Sequence, residues 1–91
     1  MTTSMKAKIV NVKVERHATG MFVATSQELK GLLVAKHSMD DLYKAIPQAI
    51  MEMYAVCGED VLVTPAENGS DFYQPWIAIP AEVAKRALEH A

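Results

Sequence analysis

Residues 20–50 read GMFVATSQELKGLLVAKHSMDDLYKAIPQAI, and the organisation of the chain follows from them. Met21–Ser26 and Leu32–Lys36 are short runs rich in β-formers, separated by the polar connector Gln27–Gly31. Such runs bounded by turn residues predict strands, and Gly31 is the natural position for a positive φ. Ser38 then supplies a helix cap, and Asp40 and Asp41 place two carboxylates at the positive end of the helix dipole. From Leu42 onward Ala45, Ile46, Ala49, Ile50 and Met53 recur at spacings of three and four, the stripe of a helix that lies across a sheet. Pro47 removes one backbone donor inside that stripe. The stripe keeps its phase beyond it, so a kinked helix is expected, closed by Gly58 in the left-handed conformation.

On the N-terminal side, Lys8–Arg16 alternates Val10, Val12 and Val14 with Asn11, Lys13 and Glu15, the period of a half-buried strand. His17–Gly20 is a turn, and successive short connections predict an antiparallel meander. Residues 1–5 read as a loose tail. On the C-terminal side, Asp60–Pro65 predicts a fourth strand and Ala66–Tyr73 a polar loop centred on Asn68-Gly69. Trp76–Ile79 predicts a short edge strand paired with Val61–Thr64. Pro80 suits the first position of a helix over Ala81–His90 whose apolar side is Val83, Ala84, Ala87 and Leu88. The expectation is one α+β domain over residues 1–91, a mainly antiparallel sheet packed by helices.

The chain has 91 residues, of which 51% are hydrophobic. A chain this short has little interior for that much apolar surface, so a homo-oligomer, dimer or tetramer, is expected. Its single cysteine, Cys57, excludes an internal disulfide and favours a reducing, cytoplasmic setting. At the C-terminal end of a helix the dipole disfavours a thiolate, and Cys57 reads as a small buried hydrophobe. Neither a secretory leader pattern nor an apolar run of about 18 residues is present in the sequence, and no membrane span is expected.

Charge is uneven. Residues 1–45 carry seven Lys and Arg against four Asp and Glu, whereas residues 46–91 carry two against seven. An acidic half can steer a basic protein partner. The basic half offers a second reading, a small nucleic-acid-binding transcriptional regulator using Lys6, Lys8, Lys13, Arg16, Lys30 and Lys36, with Phe22 stacking on bases.

Catalytic chemistry finds no foothold in the spacing. His17, His37 and His90 have no second ligand at metal spacing, and a lone Cys57 makes no CxxC. Asp40 and Asp41 are adjacent on a helix and diverge. No nucleophile, general base and oxyanion device can be assembled, so neither an enzyme, a cofactor nor a metal is expected. The aromatic cluster Phe72, Tyr73 and Trp76, with Tyr54 and Met53 at the helix end, forms the candidate partner interface, aromatic residues being the usual anchors of such surfaces.

The segment VATSQELKGLLVAKHSMDDLYKAIPQAI resembles the HicB-like antitoxin family, and within it the small stand-alone members of uncharacterised function. The likeness is carried by Phe22–Ser26, Gly31-Leu32, Ser38–Leu42 and Ala45–Pro47; with the first strand it covers about half the chain. The resemblance implies a degenerate ribonuclease-H-like β-β-β-α-β-α fold without ribonuclease activity. It also implies a protein-binding role in a toxin–antitoxin system, neutralising a small basic mRNA-cleaving toxin. Many members add a C-terminal DNA-binding unit. Here one short segment and one helix follow the fourth strand, fewer elements than a ribbon-helix-helix or helix-turn-helix unit needs, so no complete unit of that kind and no autonomous DNA binding are expected.

Overall fold

The structure, a computed structural model, describes residues 7–67, 69–70 and 72–89, with the backbone alone for 87–89. The expected tail at residues 1–5, Asn68 of the polar loop and His90 lie outside the described residues. The elements run β1 (Lys8–Arg16), β2 (Phe22–Ser26), β3 (Leu33–Lys36), α1 (Met39–Val56), β4 (Val61–Pro65), β5 (Tyr73–Pro80) and α2 (Ala81–Glu89). The fold is α+β: one five-stranded sheet in the order β3-β2-β1-β5-β4, every pairing antiparallel.

The first three strands form the expected meander. Val14 pairs with Ala24 and Ala24 with Val34, so these three share one face. Val10, Val12 and Val14 are 0–5% exposed, because the alternation of β1 delivers every second side chain to the same side. Gly31 takes φ +98° in the turn before β3, where an L side chain would be strained.

α1 covers that face. Ser38 caps it with extended backbone angles, its Oγ accepting from the Asp41 N–H at 3.1 Å. The buried stripe is Leu42, Ile46, Ile50 and Tyr54, flanked by half-buried Ala45, Ala49 and Met53. A fully buried Leu or Ile side chain contributes about 1.5–3 kcal/mol, so this one-residue-per-turn stripe is what fastens the helix to the sheet. The helix runs unbroken through Pro47. It stops at Cys57, after which Gly58 adopts φ +82° and donates to the Ala55 carbonyl at 3.0 Å. Cys57 is exposed in this turn, not buried as its composition class suggested, since the chain is already leaving the sheet.

Two expectations about the C-terminal third are corrected. The run at Trp76–Ile79 is not an edge strand. It is the middle of the eight-residue β5, which pairs with β1 on one side and, as expected, with β4 on the other. Pro75 hides this in the sequence, because a proline argues against an interior strand. The Pro75 carbonyl points toward the end of β4, accepting from Ala66 N–H at 2.9 Å. In a strand a residue's N and O point the same way, so the missing donor costs the ladder with β1 nothing.

Pro80, second, ends β5 opposite Val61 instead of opening the helix, and Ala81 N–H donates to the Asp60 carbonyl at 2.8 Å. The two helices meet the sheet differently. α1 lies on it, whereas α2 touches only β4 and β5, and neither Val83 nor Ala84 joins the core.

Candidate protein-interaction surface

Two concave regions flank the start of β5. The first lies between the N-terminal half of α1 and the chain that enters β5, a notch of about 330 Å³ lined by Val14, Met39, Asp40, Leu42, Tyr43, Ile46, Gly69, Ser70 and Gln74. Its floor is apolar because Val14, Leu42 and Ile46 are core residues. Its rim is polar because Asp40 belongs to the first turn of α1, where the dipole favours an anion. Gln74 closes one end by donating from Nε2 to the carbonyls of Ala66 and Pro75, both at 2.7 Å. The Gln74 side-chain amide packs directly against Gly69, so a Cβ at position 69 would make that amide swing away.

The predicted interface residues divide around this notch. Phe72 and Tyr73 are 53% and 50% exposed, and the Phe72 carbonyl is tied to β1 by Val14 N–H at 2.8 Å. Met53 is half-buried and lies away from them, beside Gly31. Trp76 and Tyr54 are core residues instead of surface anchors, 1% and 8% exposed. The register explains this: Trp76 pairs with Val10 and so shares its helix-covered face. Tyr54 continues the Leu42–Ile46–Ile50 stripe by one more turn. Burial, reinforced by the nearby Glu59, pushes the Tyr54 hydroxyl above its ordinary pKa.

Sequence reasoning missed Tyr43. It is 45% exposed and its ring meets that of Trp76 at 5.0 Å between centroids, tilted by 50°. Tyr43 therefore extends the buried tryptophan to the surface beside the notch. The signal was available, since Tyr43 lies beside Leu42 and is three residues before Ile46 on the edge of the apolar stripe.

The second concavity is on the uncovered face of the sheet, lined by Asn11, Lys13, Glu15, Thr25, Ser26, Gln27, Glu28 and Tyr73. Its ordering element is Glu28. The pairing of β2 with β1 ends at Ser26 and Val12, leaving the next N–H of β1 without a strand partner. Glu28 takes that place: one carboxylate oxygen accepts from Asn11 N–H and the other from Asn11 Nδ2, both at 3.0 Å, and Ser26 Oγ donates at 3.1 Å. The Asn11 amide, with smaller help from backbone donors and Ser26, holds the Glu28 carboxyl below its ordinary pKa.

A depressed carboxylate adds stability that is present above the unfolded-state pKa and lost as pH falls through the folded value. In thermal melts from pH 6 to pH 3, wild type is therefore expected to lose slightly more stability than Glu28→Gln. The excess is below about 1 kcal/mol, because solvent screens so exposed a group. Equal pH dependence of the two proteins would refute the clasp.

The basic residues of the N-terminal half do not make one patch. Arg16, Phe22 and Lys36 stand in one row on the α1 side, the Arg16 guanidinium 5.8 Å from the Phe22 ring centre. Lys13 points to the other face and lies 3.6 Å from Glu15, while Lys8 sits over the Tyr54 ring. Lys6 lies outside the described residues.

Among the described residues no three His, Cys, Asp or Glu side chains converge to hold a metal ion. No described helix is long and apolar enough to cross a membrane. Comparison with known families, curated proteins and solved structures finds no match.

Proposed function

We propose that this chain is a non-catalytic, antitoxin-like interaction module that binds a small basic protein, of the kind that cleaves mRNA, at the notch between α1 and β5. The observation that carries the proposal is the notch itself. It has an apolar floor of Val14, Leu42 and Ile46, a carboxylate at Asp40, the exposed ring of Tyr43 in its wall, and exposed Phe72, whose carbonyl is held by Val14 N–H, alongside. A lysine or arginine of a partner suits this chemistry: its stem covers apolar surface while its head meets a carboxylate. The acidic excess of residues 46–91, with Glu52, Glu59, Asp60, Glu67 and Glu82 all exposed, would speed the approach of a basic partner.

The HicB-like part of the reading rests on the residue pattern of Phe22–Pro47. The β1-β2-β3-α1 order supports a degenerate ribonuclease-H-like sheet, to which β5, antiparallel between β1 and β4, is an addition to the β-β-β-α-β-α order. The nucleic-acid reading has less support, since the cations are divided between the two faces.

Co-expression with the product of the adjacent reading frame tests the proposal. The neighbour is expected to be small, basic and toxic alone, and to be neutralised by this chain. Asp40→Asn combined with Phe72→Ala should weaken the complex about tenfold or more while leaving the circular dichroism spectrum intact. A neighbour that is harmless alone, or neutralisation untouched by the double variant, sinks the reading.

A further inference from the structure

Only one face of the sheet is covered by α1. On the other, the pairings set Ile9 beside Ile77 and Leu62 beside Ile79, so four branched side chains from β1, β5 and β4 make one apolar patch. Ile9 and Leu62 remain 60% and 47% exposed. At the margin of this patch α2 begins, with half-buried Val83 and Ala84 and an alternation that makes it amphipathic over Ala81–Glu89.

The chain cannot bring these two surfaces together by itself. Pro80 is still paired in β5 and Ala81 is already helical, so no loop residue separates strand from helix. Folding a helix back over the sheet it leaves takes a connection of at least about two residues. The dimensions agree: β5 spans about 26 Å and α2 about 13 Å end to end, in a molecule 46 Å long.

We propose that a second copy of this chain covers the patch, the two α2 helices crossing antiparallel so that Val83 and Ala84 of each rest on Ile9, Leu62, Ile77 and Ile79 of the other. A two-fold contact must be self-complementary, and the charges meet that demand. Arg86 is paired with Glu82 within its own helix at 2.9 Å, and the charges left to meet across the contact are Asp60, next to the helix start, and Lys85, toward the other end, both exposed. An antiparallel crossing sets Asp60 of each copy against Lys85 of the other. The contact uses residues apart from the notch, so it stands or falls independently of the toxin-binding reading.

Sedimentation of the full chain should show a dimer. Ile9→Lys, at an exposed position, removes about tenfold in affinity per copy, so dissociation should strengthen about 100-fold with an unchanged circular dichroism spectrum. Val83→Asp should do the same from the helix side. In a Cys57→Ser background, mixing Val83→Cys protein with Leu62→Cys protein under oxidising conditions should yield the mixed disulfide. A wild-type chain that stays monomeric at high concentration overturns the proposal. So does a dimer indifferent to both Ile9→Lys and Val83→Asp, or a failure of the two cysteines to join.

Discussion

Trp76→Ala is expected to cost about 3–5 kcal/mol, the range for emptying a large aromatic from a packed core. A domain of 91 residues holds about 5–14 kcal/mol in total, so the variant should melt at least about 12 °C lower or fail to fold at 37 °C. The expectation rests on position. Trp76 is 1% exposed and lies in the strand that joins β1 to β4, where it packs on Tyr43 of α1. Its removal loosens both halves of the sheet from the helix at once. Trp76→Phe separates packing from polarity. The indole Nε1 has no hydrogen-bond partner among the described residues, so phenylalanine sacrifices volume alone and should cost clearly less than alanine. Calorimetry on the three proteins checks the order. If alanine is tolerated within about 1 kcal/mol, Trp76 is not the keystone of this core.

Pro47→Ala is expected to act in the opposite direction, raising stability by about 1–2 kcal/mol. Pro47 lies inside α1 and gives the Tyr43 carbonyl no donor one turn later. Proline in a helix interior costs about 3 kcal/mol relative to alanine. Two effects reduce the gain. Alanine returns about 0.4–1 kcal/mol of freedom to the unfolded chain, and the half-buried ring gives up some packing. Urea unfolding should show a higher midpoint with an unchanged slope. A lower midpoint would mean that the ring packs better than the missing bond costs, and that the helix has adapted its curvature to it.

The sequence carried the fold of residues 7–60 well because its signals there were local and redundant. The valine alternation of β1, the Ser38 cap with Asp41 and the left-handed glycines at 31 and 58 all concern neighbours in the chain, and each is found in place. The C-terminal third depended on long-range facts. The two prolines of β5 lowered its strand signal, and only the pairings with β1 and β4 show that the missing donor of Pro75 faces away from β1. The candidate site was half legible. Phe72 and Tyr73 were identified and are exposed. Trp76 and Tyr54 look the same as these in a sequence, since an aromatic side chain is equally at home in a core and on a contact surface. Tyr43 borders the apolar stripe in the sequence, but its role comes from Trp76, which the sheet places under α1.

The seamless passage from β5 into α2 couples two things that most folds keep apart. With no slack between strand and helix, the heading of α2 is dictated by the coil of the sheet. Any tilt imposed on it acts as a lever on the strand that links β1 with β4.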